Sequence, residues 1–195
     1  MKSQITIKKI QDFLIKGVQT IYVDDDTSRR MWWASLEVIQ KNFLSQNYKH
    51  GGVWVASPLP AFNDKKFLNQ LHGWLWSPEG FPYFQNENAG FLPVNNSEKI
   101  KKDFDLVSNY KVLNLSQEDG YEPFLMIITP NFQCVLSIVG EKDKKILLMK
   151  CDEESLKLSI ELMHAKLNQE NYEEGVKFRN AINNLGNLNI NNQFE

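Results

Sequence analysis

Three apolar segments in close succession constrain this chain more than anything else in it: Phe124-Leu-Met-Ile-Ile128, Val135-Leu-Ser-Ile-Val139 and Ile146-Leu-Leu-Met149. Each is short and bounded by Pro, Asn, Gly or Asp, which is the length and punctuation of strands rather than helices. The links Thr129-Pro-Asn131 and Gly140-Glu-Lys-Asp143 are too short for a crossover, so the three strands are consecutive antiparallel neighbours. Apolar side chains occupy both alternations of these segments. A sheet built from them needs cover on both faces.

The cover is written on either side. Downstream, Asp152 precedes Glu153 and Glu154, the signature of a helix cap followed by an acidic first turn. Leu156, Ile160, Met163 and Leu167 then fall on one helical face. A second helical pattern starts near Tyr172 and carries Val176, Phe178, Ala181, Ile182 and Leu185 on more than one face, so it can both pack on the domain and meet another chain. Tyr172, Val176, Phe178 and Ile182 are the candidate partner contacts. Residues 187–195, rich in asparagine, read as a disordered tail.

Upstream, Ile7, Ile10 and Leu14 predict a short helix stopped at Gly17, and Val18 to Val23 a strand. Asp24-Asp-Asp26 invites a metal or acid–base reading, but Asp26 stands directly before a helical stripe and is expected to cap it. That stripe is Trp32, Leu36, Ile39 and Phe43, with Trp33 about a hundred degrees off it. Val53-Trp-Val55 is a brief strand ended by Pro58 and Pro60. Asp64 to Leu71 offers two or three helical turns. Asn95-Asn-Ser97 caps a charged helix with Ile100, Phe104 and Val107 inward; its Lys99, Lys101 and Lys102 read as a solvated face rather than a phosphate site. Val112 to Leu115 is another strand.

The whole predicts an α/β (α+β) domain: a central, mostly antiparallel sheet with a C-terminal meander, helices packed on it and a C-terminal helical pair. Residues 1–168 form the domain and 169–186 the last helix. At 195 residues and 42% hydrophobic, the chain can bury a core large enough to fold alone.

Residues 58–93 are the most aromatic and least regular stretch. Rings in such a segment either anchor it onto the sheet or line a pocket. The pocket reading takes Trp54, His72, Trp74, Trp76 and Phe84 as a small-molecule site. An enzyme reading would instead need Asp24 or Asp25 to converge with His72. His164 sits off the apolar line of its helix and reads as a rim residue.

Charge and motifs narrow the function classes. A net charge of −2 gives no pull toward nucleic acid or anionic membrane. No apolar run is long enough to span a bilayer, and Met1 to Lys9 lacks a signal-peptide core, so a cytoplasmic setting is expected. Cys134 and Cys151 lack zinc or CxxC spacing and read as buried, reduced thiols. None of the GxGxxG, GxxxxGK, HExxH and GxSxG motifs occurs, and no cofactor or metal is expected.

One resemblance adds to this. Lys111-Val-Leu-Asn-Leu-Ser-Gln-Glu-Asp119, then Phe124 to Phe132, Val135-Leu136, and Leu148-Met-Lys-Cys-Asp-Glu153 with its helix resemble the closing half of DICT-type sensory domains. Those are bacterial modules, frequent in cyanobacteria, found beside diguanylate cyclases and two-component proteins. Here Pro123 takes the position of the family's tryptophan and Cys151 that of an aromatic. The resemblance implies a sensory or protein-interaction unit of a signalling protein and carries over no binding residue; that the partner could be a second copy of the chain follows from the C-terminal helical pair.

Overall fold

The computed structural model describes residues 4–19, 21–44, 51–58, 70–79 and 110–186. Phe84 and the other aromatics of 80–93, the helix expected after Asn95, all but the last residues of the helix expected from Asp64, and the tail from Asn187 lie outside the described residues.

The expected meander forms as β4 (Phe124–Ile128), β5 (Gln133–Glu141) and β6 (Lys144–Lys150). It is half of a six-stranded sheet that also contains β1 (Val53–Ser57), β2 (His72–Ser77) and β3 (Tyr110–Asn114), in the order β3-β2-β1-β4-β5-β6. β1 joins the halves, running parallel to β2 and antiparallel to β4, while β2 and β3 are parallel. The sheet is therefore mixed, with the antiparallel pairings gathered toward the carboxyl end.

Both faces are covered, as continuous apolar strands require. α1 (Ile7–Leu14), α3 (Glu153–Glu170) and α4 (Tyr172–Asn183) supply Ile7, Ile10, Met163, Leu167 and Phe178 to one face, against Val55, Trp74, Trp76 and Met126. α2 (Asp25–Val38) and the π-helical turn Ile39–Leu44 that continues it supply Trp32, Leu36, Ile39 and Leu44 to the other, against Trp54, Leu75, Ile127 and Leu136.

Two local expectations need correction. Among the described residues of Val18 to Val23 no strand forms: only Val23 meets the sheet, in a single bridge to Lys145 on the outer edge of β6. Ile21 and Tyr22 stay exposed, because the chain turns into α2 at once. The cap of α2 is Asp24 rather than Asp26; its Oδ1 accepts the Thr27 N–H at 2.7 Å and its Oδ2 the Thr27 hydroxyl at 2.9 Å. Asp25 and Asp26 occupy the first turn, complementing the helix dipole.

The parallel pairing of β1 with β2 depends on one glycine. Trp54 is fully buried on β1, and its cross-strand neighbour on β2 is Gly73. A Cβ on Gly73 would stand 2.3 Å from the Trp54 ring, so the indole lies across β2 through space that no other residue leaves open. The ring continues toward Tyr110 of β3, with centroids 5.3 Å apart.

Gly73→Ala is expected to cost about 2 kcal/mol in guanidinium unfolding, the range for overfilling a packed core. Combining it with Trp54→Phe, which removes the ring atoms the new Cβ meets, should give less than the sum of the two single losses.

Candidate functional site

The sheet divides the aromatic residues that the sequence offered as one pocket. Side chains alternate along a strand, so Trp54 faces α2, whereas Trp74 and Trp76 on β2 face α3 and α4. His72, at the start of β2, is exposed. Trp54, Trp74 and Trp76 are each 3% exposed or less and serve the two cores. The acid–base constellation is not assembled either. Asp24 and Asp25 lie beyond the outer edge of β6, which is itself four strand positions, or roughly 20 Å at ordinary strand spacing, from the His72 strand.

What the structure brings together on the α3/α4 side is a chain of buried charges and indoles. Lys166 of α3 is fully buried. Its ammonium donates to Asp119 Oδ1 at 2.6 Å and to Glu170 Oε1 at 2.6 Å, and lies 5.2 Å from the centre of the Trp76 ring. Asp119 ends the 3₁₀ turn Gln117–Asp119. Its Oδ1 also accepts the Ile7 N–H at the start of α1, and its Oδ2 accepts both the N–H and the hydroxyl of Ser116. The other oxygen of Glu170 accepts the Trp76 indole N–H at 2.7 Å. One turn on, Glu174 accepts the Trp74 indole N–H at 2.9 Å and pairs with Lys177. Trp74 meets Phe178 edge to face, with centroids 5.3 Å apart.

Each charge in this chain has the partners that burial demands. Burial alone pushes the Asp119 carboxyl up; the Lys166 ammonium, the Ile7 N–H and Ser116 outweigh it and hold the group below the usual carboxylate range. Glu174 behaves alike, with burial outweighed by Lys177 and the Trp74 N–H. Chemically the network is a clamp: it fastens the α3–α4 hairpin to β2, the 3₁₀ turn and α1.

The candidate partner residues separate accordingly. Tyr172 is 73% exposed and Val176 38%. Phe178 is fully buried against Trp74, so its assignment as a partner contact is corrected to core. Ile182 is half-buried against the same core. His164 is partly buried and within 2.9 Å of the Asn168 amide where α3 meets α4; burial, with Arg179 nearby, lowers its pKa.

The model of a family described as Domain of unknown function (DUF8628) matches residues 8–195. The chain belongs to this family. No curated protein and no solved structure matches it. The DUF8628 match takes in every side chain of the clamp, from Trp74 through Asp119 and Lys166 to Glu174. Among its described residues, no helix is long and apolar enough to cross a membrane, and no cluster of His, Cys, Asp and Glu could hold a metal ion.

Lys166→Met leaves the Asp119 carboxylate buried without its counter-charge and is expected to cost about 3 to 5 kcal/mol in chemical denaturation. Lys157→Ala, which removes the exposed pair with Glu153, should cost less than about 1 kcal/mol. Asp119 and Glu174 have depressed folded-state pKa values, so their contribution is present above the unfolded carboxylate range near pH 4 and is lost as pH falls through the folded values. Near-ultraviolet tryptophan circular dichroism should therefore lose amplitude on acidification below about pH 4, and Asp119→Asn should flatten that dependence.

Proposed function

We propose that this domain is a non-catalytic regulatory or sensory module of a bacterial signalling protein, acting through protein–protein contact in the cytoplasm. The observation that carries the reading is the division of labour on α4. Its inner face is held by Glu174 on Trp74 and by Phe178 in the core, while Tyr172 and Val176, one turn apart, stay outside. A helix fixed on one face, with Tyr172 and Val176 exposed among Glu173, Lys177 and Arg179 on the other, is suited to receive a second copy of the chain, whose own α4 would offer the same residues. Because the inner face is clamped to β2, binding at α4 has a mechanical route into the sheet. The resemblance of residues 111–153 to DICT-type domains supports a sensory role, and two free thiols suit a reducing compartment.

Deleting the last helix would remove Glu174 and Phe178 from the core and so confound folding with association. Sedimentation velocity at tens of micromolar on the full chain and on Tyr172→Ala/Val176→Ser is more informative. The reading expects a dimer for the natural sequence and a folded monomer for the variant. A natural chain that sediments as a monomer throughout this range would remove self-association through α4.

A further inference from the structure

The two cysteines lie at the end of the β5–β6 pairing, Cys134 within β5 and Cys151 directly after β6. β5 and β6 pair in a constant antiparallel register that ends with Val135 opposite Lys150. One further step places Cys134 opposite Cys151. Both belong to the α2 side of the sheet, Cys134 buried in that core and Cys151 half-buried against it.

The hydrogen bonding says which kind of pair this is. Lys145 exchanges both backbone bonds with Val23, at 2.8 and 2.9 Å, so its N–H and C=O point away from β5. The same holds at every second residue of β6, and the extension reaches Cys151. From the other strand, the Ile138 N–H goes to Pro123 on the β4 side, which sets Cys134 facing β4 in the same alternation. Cys134 and Cys151 therefore meet at a non-hydrogen-bonded position, where Cα atoms stand roughly 4.5 Å apart. That separation lies inside the range a disulfide spans.

We propose that Cys134 and Cys151 form an oxidisable dithiol, a modification site at which a hydroperoxide closes an intramolecular cross-strand disulfide. The half-buried Cys151 thiolate attacks the peroxide oxygen, breaking the O–O bond and giving a sulfenic acid and an alcohol or water. The Cys134 sulfur then attacks Cys151 Sγ, the S–O bond breaks, and the oxygen leaves as water with the proton from Cys134. Two thiols and one hydroperoxide thus yield a disulfide, an alcohol and water. Two electrons pass from sulfur to the peroxide. Burial, together with the neighbouring Cys151, raises the Cys134 pKa, and burial with Asp152 raises that of Cys151, so the reaction is slow at neutral pH and quickens as pH rises.

The bond has a structural consequence. Cys151 directly precedes Asp152, whose Oδ1 caps α3 through the Ser155 N–H at 2.8 Å. Oxidation ties the start of α3 covalently to β5, whatever α4 does with a partner.

The test treats the full folded chain with hydrogen peroxide, unfolds it, alkylates the remaining thiols and measures intact mass and tryptic peptides. The inference expects both thiols to disappear together, a monomer lighter by two hydrogens, a linked peptide pair containing Cys134 and Cys151, and full reversal by dithiothreitol. In Cys134→Ser the Cys151 sulfenic acid should persist and be captured by dimedone. In Cys151→Ser the buried Cys134 should stay alkylatable after unfolding. Added oxygen at one cysteine, covalent dimers as the main product, or two thiols still free after peroxide at raised pH would each overturn it.

Discussion

A lysine ammonium sealed from water must find its partners where it stands, and in this fold that demand fixes the positions of four separate pieces of chain. Lys166 sits on the apolar stripe of α3 and is satisfied only if Asp119 arrives from the 3₁₀ turn and Glu170 from the next turn of its own helix. Asp119 in turn is satisfied only if Ile7 and Ser116 approach it. Glu170 and Glu174 extend the same logic to the two indoles of β2. Apolar burial supplies most of the driving force for covering the sheet, but it is not directional. The charges specify which helix lies over which strand.

The antiparallel half of the fold was legible because its information is local. Short apolar runs, short turns and the Asp152 cap each point to the same meander and helix, and both appear where expected. In the parallel half the strands at Val53 and Val112 were legible as well, but β2 was not, since His72 to Ser77 lies in the stretch that reads as irregular, and no local pattern fixes the pairing of strands joined by such long connections. The error at Asp24 has a plain origin: three adjacent aspartates offer three possible caps, and only the Thr27 contacts choose between them. The strand expected from Val18 failed for want of a partner beyond Val23.

The candidate site was harder to read. Aromatic residues such as Trp54, Trp74 and Trp76 advertise themselves in a sequence, yet the strand alternation that puts Trp54 on the face opposite the other two needs the register of β1 with β2. Lys166 left one trace, a charged residue between Met163 and Leu167 on an otherwise apolar face. Asp119 left none, since a carboxylate in a polar turn is ordinary. The cysteines are a matter of register as well: sixteen residues separate them in the chain, and it is the β5–β6 register, extended one step past Val135 and Lys150, that sets them opposite one another.

The central claim is that the α3–α4 hairpin and the parallel half of the sheet open as one unit, held by carboxylates on the indoles of β2. Native-state hydrogen exchange tests it most directly. The account predicts that the core amides of α3, α4 and β2 exchange with a common opening free energy and a common denaturant dependence. Exchange of α4 amides through a separate opening, several kcal/mol easier than that of β2, would contradict it.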